Sequence, residues 1–352
     1  MDELNEFLQK YATIRNKKKE VLKKLLNLNF GRMKVKELKE LSDIKIVGVD
    51  GGLIKKEFRG IGLILGRAVA VCFEHSGNKL KKVCYFPSRS PNPKIESVSN
   101  DVISESFGLY ANLRREELEL KTAIDAIKIF SPDVLIRDGS IVLYPASVPQ
   151  KNSTAWPIYK NVLELTKELF TLCRDKGILL FGAVEDSRSK KFCSFLEKEL
   201  STKSKDLAKD LRDCKFSDCE LLNNLLSLGE YTPPLPYSDA ELPFLADLDD
   251  FSKDIFVSYL KAAKYDYPLR LDFLVNRAGE LNNFVEKVNS IAYFLSKQNQ
   301  NYAFPSVLIE ADARAKLNGT ALDFVKSALL KNHGIELLDF TFQELRRESR
   351  PF

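Results

Sequence analysis

Ile44-Lys45-Ile46-Val47-Gly48-Val49-Asp50-Gly51-Gly52 and Val134-Leu135-Ile136-Arg137-Asp138-Gly139-Ser140 are the two stretches on which the reading of this chain turns. Each is a short apolar run that closes on Asp-Gly. β-Branched runs bounded by glycine read as buried strands, and both strands are expected to end at their aspartate. Packing gives no reason for a carboxylate there, because a buried carboxylate needs a partner or a cation. Two of them, set side by side by strand pairing, repel each other unless a divalent cation lies between them. Asp50 and Asp138 are therefore candidate metal ligands. Glycine after each lets the chain turn sharply or approach a metal or phosphate closely. A plain hairpin turn explains one Asp-Gly well; two, each closing a core-like strand, ask for more.

Between these strands lies an acid-rich helical segment, Leu113-Arg114-Arg115-Glu116-Glu117-Leu118-Glu119-Leu120-Lys121-Thr122-Ala123. Four-residue steps put Glu119 on one side with Arg115 and Ala123, and Glu116 on an adjoining stripe. A solvated face accounts for any single glutamate here. The order strand-Asp, hairpin, helix-Glu, strand-Asp nevertheless supplies three carboxylates from three separately anchored elements. That arrangement suits two magnesium or manganese ions about 4 Å apart, and phosphodiester hydrolysis is the chemistry that fits.

Working outward, residues 2–28 read as an amphipathic helix with Leu4, Phe7, Leu8, Tyr11, Ile14, Val21, Leu22, Leu25 and Leu26 on its apolar side. Segments 61–74 and 81–86, separated by Gly77-Asn78, read as a hairpin. A helix is expected over 104–130, stopped by Ser131-Pro132. Another is expected over 156–176, closed by Gly177 and followed by a buried strand at 178–184. Residues 200–250 are polar and proline-punctuated, and read as an insertion or extended subdomain. Strands are expected at 255–259 and 269–274, then a helix at 280–296. A last helix, after Glu310, runs through Leu330. The pattern predicts a mixed α/β sheet flanked by helices in one main domain spanning 1–352, with an N-terminal helical segment over 1–40.

The composition is that of an ordinary globular protein, with 44% hydrophobic and 29% charged residues among 352. The polar start is not a signal peptide, and no apolar run approaches a membrane span, so a cytoplasmic protein is expected. Six scattered cysteines without a CxxC pair and only two histidines make a zinc site improbable. They read as buried free thiols, and any metal is expected to be held by oxygen, which suits magnesium or manganese. A basic block, Arg15 to Lys24 with Lys34, Lys36 and Lys39, is compatible with a solvated helix face or with phosphate contact.

Val47-Gly48-Val49-Asp50-Gly51-Gly52, Glu119-Leu120, Ile136-Arg137-Asp138-Gly139-Ser140 and Tyr302-Ala303-Phe304-Pro305, in this order, resemble the NurA family. The resemblance in segment order covers nearly the whole chain, and the two Asp-Gly motifs carry most of it. It implies a ribonuclease H-like fold and a homodimer. It also implies a manganese-dependent nuclease that works with a HerA-like hexameric ATPase in DNA end resection and double-strand break repair. The activities implied are a 5'-3' exonuclease on DNA ends and an endonuclease on single strands. Carried over by motif, Asp50, Glu119 and Asp138 match the catalytic carboxylates, and Tyr302 matches the tyrosine of the late motif. Glu119 is preferred to Glu116 and Glu117 because Leu-Lys-Thr-Ala follows it. Where the family has a histidine eight residues after the tyrosine, this chain has Glu310. That gives an all-oxygen metal set of Asp50, Glu119, Asp138 and Glu310 for one or two manganese (or magnesium) ions, with Asp312 nearby. Glu185 stands where many relatives carry a lysine, and Arg188, Lys190 and Lys191 are the substitutes for its phosphate contact.

The replacement at Glu310 keeps a second class of function open, a catalytically weak or inactive structural partner of the ATPase. A phosphotransferase using the same Asp-Gly turns for ATP is a third reading, with no Walker-type glycine loop to support it.

Overall fold

The computed structural model describes residues 2–28, 30–36, 43–58, 61–237, 242–276 and 279–319. In chain order its helices are α1 (Asp2–Leu26), α2 (Asn100–Phe130), α3 (Trp156–Lys176), α4 (Lys191–Lys203), α5 (Lys205–Cys214), α6 (Asp218–Leu225), α7 (Pro243–Asp247), α8 (Leu281–Ser296) and α9 (Ser306–Ala315). The strands are β1 (Met33–Lys34), β2 (Ile44–Phe58), β3 (Ile61–Ser76), β4 (Lys79–Phe86), β5 (Lys94–Ser99), β6 (Val134–Asp138), β7 (Leu179–Val184), β8 (Glu230–Tyr231), β9 (Leu235–Pro236), β10 (Ile255–Leu260) and β11 (Leu269–Leu274).

All these strands join one sheet in the order β1-β8-β10-β11-β7-β6-β2-β3-β4, with β5 added to β3 and β9 to β10. Its centre, β4-β3-β2-β6-β7, has β2, β6 and β7 parallel and β3 antiparallel to them, the ribonuclease H-like arrangement. Side chains alternate across the pleat. Val47, Val49 and Leu135 therefore join a core with α2 and α3, while Ile46 and Ile136 join the opposite core with α8 and α9.

The turns follow local chemistry. Gly77, at φ +56°, closes the β3–β4 hairpin, where Ser76 pairs with Lys79. Ser131 ends α2 in the left-handed region and donates its N–H to the Ile127 carbonyl at 3.0 Å. Gly177, at φ +68°, closes α3. Residues 200–250 carry most of α4 to α7, whose Leu200, Leu211, Leu222 and Phe244 enter the same core as α2 and α3. The six cysteines are free thiols.

Three expectations need correction or completion. The strand at Asp50 does not end there: β2 continues to Phe58, paired with β3 throughout, from Ile44↔His75 to Phe58↔Ile61. Gly51 and Gly52 are not turn residues, because each sits where another element leaves no room for a side chain. A Cβ on Gly51 would lie 2.5 Å from Glu119 Oε1, and one on Gly52 would lie 1.9 Å from the Ala315 carbonyl oxygen. The last helix starts before Glu310 and stops at Ala315, and the expected extension beyond residue 319 lies outside the described residues. Part of the basic block is engaged within the molecule. Lys17 meets Asp213 at 3.3 Å, Lys18 meets Glu220 at 2.7 Å and Lys24 meets Asp210 at 3.4 Å, which fastens α1 to α5 and α6. Lys36 meets Glu286 at 2.8 Å, and Lys39 lies outside the described residues.

Among the described residues no helix is long and apolar enough to cross a membrane.

Candidate functional site

The parallel register of β2 with β6 aligns Val49 with Arg137, so the next residues, Asp50 and Asp138, stand side by side. Asp50 is 6% exposed and accepts a 2.7 Å hydrogen bond from the Gly51 N–H. Its carboxyl and that of Asp138 are within hydrogen-bonding reach of each other. Burial pushes the Asp138 carboxyl up to about 7, helped by the adjacent charge of Asp50, and burial also raises Asp50. Two carboxylates forced together in this way share a proton when no cation separates them.

Glu119 comes from α2, on the other face of the sheet, and its charge and that of Asp50 act on one another. Its Oε1 is the atom that fills the space over Gly51, one residue from Asp50. It is 3% exposed, and burial together with neighbouring Glu116 pushes it up to about 8. The alternation along β6 points Arg137 towards α2, on the face opposite to Asp138. The Arg137 guanidinium lies 2.9 Å from Glu119 Oε2 and 2.7 Å from Glu116 Oε1, with only 2% of its side chain exposed. Arg115 Nε stands 3.4 Å from Glu119 Oε1. Of the three helix acids, Glu117 turns away: it pairs with Arg114 at 2.9 Å, with Lys121 at 2.5 Å, and accepts from Asn161 at 2.7 Å.

On the other side, the Tyr302 hydroxyl donates to Glu185 Oε1, and the charges of Asp138 and Asp312 both act on that tyrosine. Burial raises Glu185, against the hydrogen bond from Tyr302. Asp312, on α9, also acts on Asp50. Glu310, two residues before it, faces elsewhere. Its Oε1 accepts from the Tyr85 hydroxyl at 2.8 Å and from Arg314 Nε at 2.8 Å. Partial burial opposes ionisation of Glu310, but these two donors prevail and hold it below its ordinary value. Lys191 lies with its ammonium 4.2 Å from the centre of the Tyr237 ring.

The structure thus pairs Asp50 with Asp138, sets Glu119 within electrostatic reach of Asp50, links Tyr302 to Glu185 nearby, and ties Glu310 to Tyr85 and Arg314. Sequence reasoning passed over Arg137 and Arg115. The signal for Arg137 was present, a charged residue inside the apolar run directly before Asp138. Its burial explains why: it is the counter-ion of the helix acids.

The donor set fits a hard divalent cation. It is all oxygen, and Asp50, Asp138, Glu116 and Glu119 outnumber Arg115 and Arg137. Burial and mutual repulsion favour the protonated form of both Asp50 and Asp138. Among the described residues no three acidic, histidine or cysteine side chains already close on one point as an ion cage. Glu119 is held towards Arg137 instead.

Comparison with known proteins places these residues in context. The family model described as "NurA domain" matches residues 44–317, from the start of β2 to just beyond α9. The fold is similar to the crystal structure of the NurA nuclease from Sulfolobus solfataricus, with a TM-score of 0.57, 15% identity, and 94% of this chain and 97% of that one covered. A second NurA crystal structure matches with a TM-score of 0.54, 10% identity, and coverage of 92% and 97%. No curated protein matches the sequence. With the family model spanning most of its length, this chain belongs to the NurA family.

Proposed function

We propose that this chain is a metal-dependent deoxyribonuclease. The observation that carries the reading is the pairing of Asp50 and Asp138 at adjacent positions of β2 and β6, with Glu119 of α2 over Gly51 and within electrostatic reach of Asp50. A divalent manganese or magnesium ion supplies, when bound, a water of lowered pKa and charge neutralisation at the scissile phosphate. Asp50, Asp138 and Glu119 would hold it, and Asp312 is a better placed fourth carboxylate than Glu310 because its charge reaches Asp50. Arg137 keeps the Glu119 carboxylate from turning, since one oxygen stays bonded to the guanidinium while the other faces Gly51. Hydrogen bonding of this kind to a ligating carboxylate orients it and tunes its basicity. Arg115, half-exposed at the mouth of the cluster, is suited to a phosphate oxygen. Tyr302 orients the strand, with its hydroxyl anchored on Glu185.

The remaining parts of the reading follow from family membership. They are 5'-3' exonuclease and single-strand endonuclease activity, a homodimer, and work with a HerA-like hexameric ATPase in end resection. The test is cleavage of labelled single-stranded DNA with manganese by wild type, Asp50→Asn and Asp138→Asn. Loss of at least about a thousandfold in each variant, with the fold retained, supports the reading. Cleavage by Asp50→Asn at the wild-type rate contradicts it.

The engagement of Glu310 by Tyr85 and Arg314 favours one second reading, a catalytically weak partner of the ATPase. It requires that wild type bind the hexamer in a pull-down while leaving DNA intact at every manganese concentration.

A further inference from the structure

Four tyrosines stand out as more exposed than a third among the described residues, and three of them lie on two loops beside the acidic cluster. Tyr265 is 69% exposed and Tyr267 51% exposed, both on the loop joining β10 to β11, and Tyr302 is 41% exposed on the loop before α9. These loops are pinned to one another. The Tyr265 N–H donates to the Gln300 carbonyl at 2.9 Å, and the Lys264 N–H donates to Gln300 Oε1 at 3.2 Å. The Asp266 carboxylate accepts from the Tyr267 N–H at 2.7 Å and, through its other oxygen, from the Ala303 N–H at 2.7 Å. The two loops that carry the three exposed rings are therefore held together. A fixed tyrosine presents a large ring at low entropic cost, and solvent exposure of three together is not a packing requirement.

Two further observations say what such a surface takes. Lys264 holds its ammonium 5.0 Å from the centre of the Tyr265 ring, which adds a cation next to the aromatic faces. Tyr302 leads from the platform into the cluster, through its hydroxyl on Glu185 and its electrostatic contact with Asp138. Aromatic rings with an interleaved cation, opening onto a site that handles phosphodiesters, match the chemistry of unstacked nucleotides. Bases stack on the rings irrespective of sequence, and the ammonium meets a phosphate. A duplex keeps its bases stacked internally and offers this surface nothing comparable.

We propose that Tyr265, Tyr267 and Tyr302 form a stacking platform for the bases of single-stranded DNA at the rim of the Asp50–Asp138 cluster. This rests on the nuclease reading for its choice of ligand, and assigns that site a preference for bases that are free to unstack.

The test measures binding without cleavage, by fluorescence anisotropy of a labelled ten-residue oligothymidylate in EDTA. Wild type is compared with the Tyr265→Ala/Tyr267→Ala double variant, and each is also given an oligonucleotide of equal length with alternate abasic positions. Stacking predicts that wild type loses roughly tenfold or more in affinity when either the rings or the bases are removed. It also predicts that the double variant no longer distinguishes the two oligonucleotides by more than about twofold. The melting temperature and the sedimentation profile of the variant should match those of wild type. The proposal is overturned if wild type shows no binding, if the variant binds oligothymidylate as wild type does, or if it still prefers the strand with bases. It is also overturned if the variant changes its oligomeric state, which would make the patch a contact between copies of the chain. Because the assay excludes metal, absence of cleavage in manganese would defeat the nuclease reading while leaving this result intact.

Discussion

Asp50-Gly51 and Asp138-Gly139 look alike on paper and serve opposite purposes. Asp138 ends its strand, and Gly139 turns the chain at φ +80° with open space where a Cβ would be. Asp50 sits inside a fifteen-residue strand, and Gly51 and Gly52 keep that strand clear for α2 and α9. One glycine is needed for its backbone angle and the others for their lack of a side chain. The carboxylates meet because β2 and β6 are parallel neighbours, whatever the chain does afterwards.

Substitutions at these glycines separate the two roles. Gly52→Ala has the largest expected effect, because the new methyl would meet the backbone oxygen of Ala315, which cannot move alone. A loss of about 3 kcal/mol or more in urea denaturation is expected. Arg137→Met is of similar size, about 3–5 kcal/mol, since it leaves the buried Glu119 and the partly buried Glu116 without their counter-ion. Recovery of most of the loss by adding Glu119→Gln would attribute it to that pair. Gly51→Ala would press on Glu119 at Oε1, Cγ and Cδ, 2.5, 2.7 and 3.0 Å away, so it should cost about 1–3 kcal/mol and weaken manganese binding roughly tenfold by displacing that carboxylate. Gly139→Ala carries only backbone strain, about 1–2 kcal/mol, and should leave manganese affinity within about threefold. Glu310→Gln, which breaks a half-exposed pair with Arg314, is expected to change stability by under about 1 kcal/mol. If Gly139→Ala proves more damaging than Gly52→Ala, the distinction between the two motifs fails.

Acidity offers a second contrast, between the cluster and the rest of the surface. Asp50, Asp138 and Glu119 all hold their protons more tightly in the fold than in the unfolded chain. The folded state therefore binds more protons, and the stability of the metal-free protein should fall as pH rises from about 4 towards 8. Manganese should reverse this fall, and melting temperatures with EDTA and with manganese across that range test it.

The strands, the hairpin and the long helices were legible because their periodicity and stop signals are local. Ser131-Pro132 and Gly177 ended their helices where expected. The continuation of β2 past Asp50 was not legible, because the reason for Gly51 and Gly52 lies on α2 and α9, remote in sequence. Asp50 and Asp138 could be named from their order, whereas the choice of Glu119 over Glu116 and Glu117 rested on the resemblance to the NurA family. That Glu310 pairs with Tyr85 while the charge of Asp312 acts on Asp50 depends on the rotation of α9, which a short motif does not specify.

The most direct test is calorimetric titration of manganese at pH 7 in two buffers of different ionisation enthalpy. Binding at the cluster must displace the protons held there, so it should release close to one proton or more per ion. It should also weaken at least about tenfold in Asp138→Asn. Absence of manganese binding, or binding without proton release that Asp138→Asn leaves unchanged, would contradict a metal site at Asp50, Asp138 and Glu119.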